Sequence, residues 1–333
     1  MSSQNQNYIT LPTPSPTQTY VTISALDGGH LTLPESLFVT DADPSKRSTV
    51  PSLSFLIQHP TAPSTTSSVP TPQTLLFDLG LKRDLTAYRP AQQHHISQRQ
   101  PTIVTPDVSD SLLAGALSPS TIDTIILSHV HWDHIGTPTD FPNATFHVGS
   151  GTMHLLSHGA GPLYPSDLFN PTELPETRTQ EFPPVRDADA HKAYPRQTNH
   201  IWKPLGPFPA ALDFYNDGSV YVIDAPGHLY GHVNLLARVA PRRWIYLGGD
   251  CCHDPRILRG EKGIAMYDDG RGGLRSVHVD TEEAAETIKR IAGFLKRGEV
   301  REEGGGEVEV EVVVAHDGAW REGNRERFWP GTM

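Results

Sequence analysis

Cysteine is nearly absent from this 333-residue chain, and the two that occur, Cys251 and Cys252, are neighbours. A vicinal pair cannot tie distant segments together, so no disulfide framework is available and a reducing, cytoplasmic setting is expected. Long apolar runs are missing too: no stretch approaches the roughly 20 residues of a spanning helix, and no membrane partner is expected. Basic residues are the minority, 27 Lys and Arg against 38 Asp and Glu, for a net charge of −11 with no basic cluster. That balance disfavours nucleic acid as a partner. The opening stretch MSSQNQNYITLPTPSPTQTY has neither a basic leader nor an apolar core and does not read as a secretory signal. Its Ser, Thr, Pro and Gln content predicts a disordered tail over residues 1–19.

What is present reads as strands interrupted by a few helices. VTISAL and HLTLP alternate around Asp27-Gly28-Gly29 and predict a hairpin. SLSFLIQ and TLLFDLGL predict strands joined by the Pro-rich loop HPTAPSTTSSVPTP, and a helix is expected over Val108 to Leu117. IDTIIL and ATFHVGS read as strands, the second followed by a short helix, GTMHLLSH. Residues 160–210 are rich in Pro and aromatics without a period and predict a long loop insertion. Order resumes with two strands about an Asn216-Asp217-Gly218 turn, then VNLLARV and RRWIYLGGD. DTEEAAETIKRIAGFLKRG is a helix capped by Asp280, with Ala284, Ile288, Ile291 and Leu295 on one face. VEVEVVVAH is the last strand, and residues 323–333 are a C-terminal tail. No composition break divides residues 20–322, which predicts one α+β domain: two sheets packed face to face with helices outside.

The stretch TIILSHVHWDHIG ends an oily run in three histidines and an aspartate. On a strand, His129 and His131 point to one side, and the turn imposed by Gly136 and Pro138 lets Asp133 and His134 swing beside them. Several unpaired polar rings at the end of a buried strand cost a few kcal/mol each unless something satisfies them, and a divalent metal satisfies several at once. For His94, His95, His154, His158, His191, His200 and His278, standing alone in the sequence, a structural role is expected instead.

His129-Val-His131-Trp-Asp133-His134 resembles the HxHxDH signature of the metallo-β-lactamase superfamily, and the rest of that pattern follows in order: His228 in DAPGHLYGH, Asp250 in YLGGD and His316 in VVVAHDG. The resemblance covers roughly residues 20–320 and implies a four-layer αββα sandwich. It also implies two zinc ions, with manganese, iron or cobalt as substitutes. His129, His131 and His228 would hold one, Asp133, His134 and His316 the other, and Asp250 would bridge. In PGHLYGH the pattern favours His228, leaving His232 to support the loop or pocket. Asp78, at the end of LLFDLG, would support the metal loop.

Such a pair of cations generates a bridging hydroxide that attacks a carbonyl, with Asp133 relaying a proton to the leaving group. The expected substrate is a small lactone, ester or thioester. The flanks TLLFDLGLKRD, SHVHWDHIG and AHDG resemble the quorum-quenching N-acyl homoserine lactonases, and a thioesterase of the glyoxalase or polyketide-releasing kind is the alternative on the same site. One departure is His253, where the bacterial lactonases carry a tyrosine that holds the lactone carbonyl; a catalytic and a structural role both stay open for it. The aromatic insertion would wall the pocket with Phe169, Trp202 and Phe208.

Overall fold

The computed structural model describes residues 8–60 and 72–333. Two six-stranded sheets carry the architecture. The first runs, edge to edge, through β1 (Thr22–Pro34), β2 (Arg47–His59), β3 (Gln73–Phe77), β4 (Thr124–Ile126), β5 (Thr145–Val148) and β6 (Thr179–Glu181). Its first three strands pair antiparallel and the rest parallel. The second runs through β7 (Lys203–Leu205), β8 (Phe208–Asp213), β9 (Val220–Asp224), β10 (Val233–Ala240), β11 (Arg243–Leu247) and β12 (Glu309–Val313). It is antiparallel except for the β11–β12 pair.

Alternation along each strand explains the layers. Phe55, Phe77 and Ile126 of the first sheet face Leu235, Ile245 and Leu247 of the second across the central core. Their neighbours Leu56, Leu76 and Ile125 point outward, onto the helices that contribute Leu112 and Leu155. On the other side Leu236, Trp244 and Tyr246 pack against Ile288 and Ile291. Strands buried on both faces must be nearly continuous in apolar residues, as these are. The arrangement is the four-layer αββα sandwich. Among the described residues no helix is long and apolar enough to cross a membrane.

The strands β3, β4, β9, β11 and β12 all finish at one rim of the sandwich. Asp78, the 129–134 segment, His228, Asp250 and His316 each follow one of those ends, so the topology gathers them there.

Several expectations change. The predicted hairpin at Asp27-Gly28-Gly29 is one strand of 13 residues with a bulge between Asp27 and His30. Gly28 is there for contact rather than for turning: a Cβ on it would sit 2.5 Å from the Ser52 carbonyl oxygen and 2.8 Å from the Cα of Gly80. The expected tail is structured over part of its length, because Ile9–Leu11 pairs in parallel with Val300–Glu302 and Leu11 is fully buried. Residues 1–7 of that tail and 61–71 of the Pro-rich loop lie outside the described residues. The C-terminal segment is not free either. The Trp329 and Met333 amides donate to the Ala25 and Ile23 carbonyls at 2.9 and 2.8 Å, covering the exposed edge of β1.

The 160–210 region is mostly turns, yet its Thr179–Glu181 strand completes the first sheet. In the long helix, Thr281–Ala292, Asp280 caps the Glu283 amide as expected. The last turn tightens at Gly293–Leu295, so Phe294 enters the core and Leu295 is exposed.

Candidate metal centre

β4 ends at Ile126, and residues 129–134 occupy turns rather than the strand from which a shared side was expected for His129 and His131. Asp78 holds this segment in place. Its own backbone is left-handed (φ 63°), which aims the carboxylate back at the loop. One oxygen accepts from the Ser128 amide at 2.6 Å, and the other accepts from the Ser128 hydroxyl at 2.7 Å and His134 Nδ1 at 2.8 Å. Because Ser128 spends its proton on Asp78, its oxygen is free to accept from His129 Nδ1 at 2.9 Å. In the neutral ring this relay leaves Nε2 of His129 without a proton, and at His134 the bond to Asp78 turns Nε2 toward Asp250. His316 is set the same way: its Nδ1 donates to the Pro51 carbonyl at 2.7 Å. Ser52, next to Pro51, donates to the Asp133 carbonyl and ties β2 to the same turn.

Two groups of ligand-type atoms result, and both contain Asp250. In the first, His131 Nδ1 lies 3.0 Å from His129 Nε2 and 3.0 Å from His228 Nε2. The spacing is near the roughly 3.3 Å between neighbouring nitrogens bound 2.0–2.1 Å from one tetrahedral ion. Asp250 Oδ2 is 3.7 Å from both His129 and His228. In the second, Asp250 Oδ1 lies 3.1 Å from Nε2 of His134 and 3.1 Å from Nε2 of His316, and Asp133 Oδ2 is 3.6 Å from the latter. Each oxygen of one buried carboxylate thus faces a different group.

The electrostatics separate the two groups. Burial, with the neighbouring imidazoles, pushes His129 well below the usual histidine range, and burial drives His131 and His228 down likewise, so all three rings are neutral and can donate lone pairs. For His134 burial acts the same way, but Asp250 and Asp78 outweigh it and raise the ring. Asp250 is held well below the usual carboxylate range: burial opposes its charge, but His134, His316 and His253 more than compensate. The side-chain atoms His134 Nε2 and Asp250 Oδ1 have no hydrogen-bond partner of acceptable geometry within the protein. Buried, converging and unsatisfied atoms of this kind fit a pair of divalent cations.

All seven sequence-nominated ligand residues meet at the rim. His232 sits behind them, its Nε2 accepting from the Asp250 amide at 3.2 Å, as loop support requires. His253 reaches Asp250 Oδ2 at 3.1 Å through Nε2 and packs against Phe38 in a tilted contact, ring centroids 4.7 Å apart. His278, expected to be structural in isolation, touches His228 with its Nδ1 at 3.2 Å. Nothing in SVHVD marks it, since its partner lies 50 positions away. Cys251 and Cys252 are buried free thiols that burial pushes up, to about 12 for Cys252, so they remain protonated and are not ligands.

A cleft opens onto the centre. Leu31, Leu33, Phe38, Trp132, Leu168 and Val277 make its apolar wall, and Gln92, His95, Arg99 and Tyr164 its polar one. Of the aromatics expected to wall it, Phe169 packs behind His131 with centroids 6.3 Å apart. Trp202 turns away to donate to the Pro183 carbonyl at 2.7 Å, and Phe208 packs with Tyr246 and Phe294 in the outer core. Alternation on β8 put Phe208 there, a side that a loop assignment could not foresee.

No family model matches the chain. Over 330 residues it is 30% identical to the cytochrome P450 monooxygenase mpaDE of Penicillium brevicompactum, a match covering 96% of the chain and 36% of that protein. The chain therefore spans about a third of that relative's length, and the monooxygenase name describes the larger protein. It is also 30% identical over 190 residues to the gamma-lactamase MBL2 of Gibberella moniliformis, covering 54% of the chain and 70% of the lactamase. Among solved structures it resembles an N-acyl homoserine lactone hydrolase with N-hexanoyl-L-homoserine bound at its catalytic metal centre. The TM-score is 0.60 at 15% identity, covering 97% of the chain and 100% of the hydrolase. The fold and the rim of histidines and aspartates define a metal-binding αββα sandwich. The chain belongs to the metallo-β-lactamase superfamily.

Proposed function

We propose that the protein is a dinuclear zinc hydrolase that opens a lactone or ester. The observation that carries this reading is Asp250, whose two oxygens face two separate ligand groups at 3.1–3.7 Å. His129, His131 and His228 would hold one cation, Asp133, His134 and His316 the other, with Asp250 shared. Two such cations supply a nucleophile from water at neutral pH and polarise the scissile carbonyl.

The chain's own residues do the rest. Asp78, Ser128 and the Pro51 carbonyl fix the ring tautomers before any cation arrives. Asp133, which lines the cleft, would take up the proton released by the attacking water and pass it to the departing alkoxide. His253 lines the cleft with its Nε2 3.1 Å from the shared carboxylate, where it would orient Asp250 beneath the substrate. The apolar wall from Leu31 to Val277 displaces water and receives the substrate's hydrocarbon part. Both thiols being buried and free is in keeping with a cytoplasmic location.

The test pairs metal analysis with a panel of lactones, esters and acyl thioesters on one preparation. Two zinc ions per chain, and lactone or ester opening that chelation abolishes and zinc restores, are expected. A preparation holding both ions that opens no lactone or ester sinks the reading, and a large preference for thioesters replaces it with a thioesterase.

A further inference from the structure

Arg99 lies in the polar wall of the cleft, together with residues of the metal centre. Its guanidinium has no carboxylate within ion-pairing distance among the described residues. Its one side-chain hydrogen bond is a long 3.4 Å contact to the carbonyl of the adjacent Gln98. Scarcity of acids does not explain this, since Asp and Glu outnumber Lys and Arg by 38 to 27, and other arginines do find them, Arg83 two aspartates and Arg256 Glu35 and Asp254. Arg99 is partly buried, and burial, together with the nearby Arg47, pulls it below the usual arginine range, only partly offset by Asp133. Arg47 is anchored by the Thr32 and Gln98 carbonyls, so a second positive charge backs the first. His95 beside it is neutral, held down to about 4 by burial and then by Arg99 itself. A partly desolvated guanidinium without an anionic partner, in a concave site, is a cost that an incoming anion would recover.

We propose that Arg99 forms an anion subsite, and that the natural substrate carries a carboxylate or comparably acidic group in addition to the bond that is cleaved. The proposal rests on the hydrolase reading for the cleavage itself but not for the binding. It departs from a neutral acyl-chain lactone: the apolar wall takes the hydrocarbon between two polar ends, the scissile carbonyl at the metals and the anion at Arg99. Arginine suits this task because its planar fork grips a carboxylate through two parallel hydrogen bonds.

The experiment uses zinc-loaded full-length protein and γ-lactones whose side chain ends in a carboxylate, each matched to the same lactone ending in a carboxamide, over a series of chain lengths. One length of acid should exceed its amide in kcat/KM by about 10- to 100-fold, the worth of one charge-assisted pair. R99Q should collapse that ratio toward one, mainly through KM, and R99K should restore part of it. In parallel, calorimetry measures adipate, which cannot be hydrolysed, binding to wild type and R99Q at unchanged zinc content. Lactone opening with no acid preference at any length, or a preference that survives R99Q, overturns the subsite. If adipate binding depends on Arg99 while no lactone is opened, the subsite stands and the hydrolase reading falls.

Discussion

His147, with His200 beside it, is sunk between Phe182 and Phe214, the His147 ring stacked 5.9 Å from Phe182 and the His200 ring 5.3 Å from Phe214. The rim histidines are buried too, and both groups contain ring nitrogens with no hydrogen-bond partner: Nδ1 of His147 and His200 in one, Nε2 of His131 and His134 in the other. Burial and an orphaned nitrogen therefore do not by themselves make a metal centre. The difference lies in what the nitrogens face. At the rim the ligand-type nitrogens converge: His131 Nδ1 lies 3.0 Å from Nε2 of both His129 and His228, and the orphaned His134 Nε2 lies 3.1 Å from the shared carboxylate of Asp250. In the aromatic group the rings lie on phenyl faces, and no carboxylate acts on His147. Imidazoles converging on a shared carboxylate bind a cation, whereas imidazoles stacked on phenyl rings only fill space.

The contrast breaks if the two groups respond alike to substitution. D250N removes a charge shared by both halves of the rim and should cost metal at both, with lactone or ester hydrolysis falling by about 1000-fold or more. H147F should keep full metal content and lose only a small factor in rate. Elemental analysis beside initial rates decides, and a D250N protein that retains two ions contradicts the shared-carboxylate arrangement. A smaller effect sharpens the comparison within the rim. Asp78 orients His134 directly but reaches His129 only through Ser128, so D78N should weaken metal binding by about 10- to 100-fold, with the ion on the His134 side released first in a chelator titration. Equal loss from both sides would mean that Asp78 acts on the whole loop rather than through His134.

The rim was legible in the sequence because its residues announce themselves locally. Four lie within six positions, and His228, Asp250 and His316 each close a strand whose apolar run is visible. The cleft was not. Arg99 and Tyr164 come from segments without periodicity, and His278 meets His228 only after the helix beginning at Thr281 has docked. The hairpin was misjudged for a related reason. Gly28-Gly29 carries turn chemistry, but the contact that requires glycine at position 28 is with Ser52 and Gly80, remote residues that no local pattern reveals. Leu11 likewise finds its burial against a strand almost 300 residues away.

The smallest expected effect concerns stability rather than rate. Burial holds His147 down to about 4, against the ordinary value of 6.5 that the unfolded chain restores. Between those two values the unfolded state binds a proton that the folded state refuses. Stability is therefore complete above about pH 6.5 and is lost as the pH falls toward 4. At pH 5 this one ring should cost about 2 kcal/mol relative to neutral pH. Phenylalanine does not titrate, so the H147F protein should lose less stability on acidification than wild type by that amount, whatever the new ring does to packing at neutral pH. Urea midpoints of the metal-free proteins at both pH values measure it, because the acid sensitivity of the rim histidines is common to both proteins and cancels. If the two proteins lose the same stability, His147 is not held neutral by its aromatic surroundings, and the distinction between a ring buried for packing and a ring buried for a cation would have to rest on geometry alone.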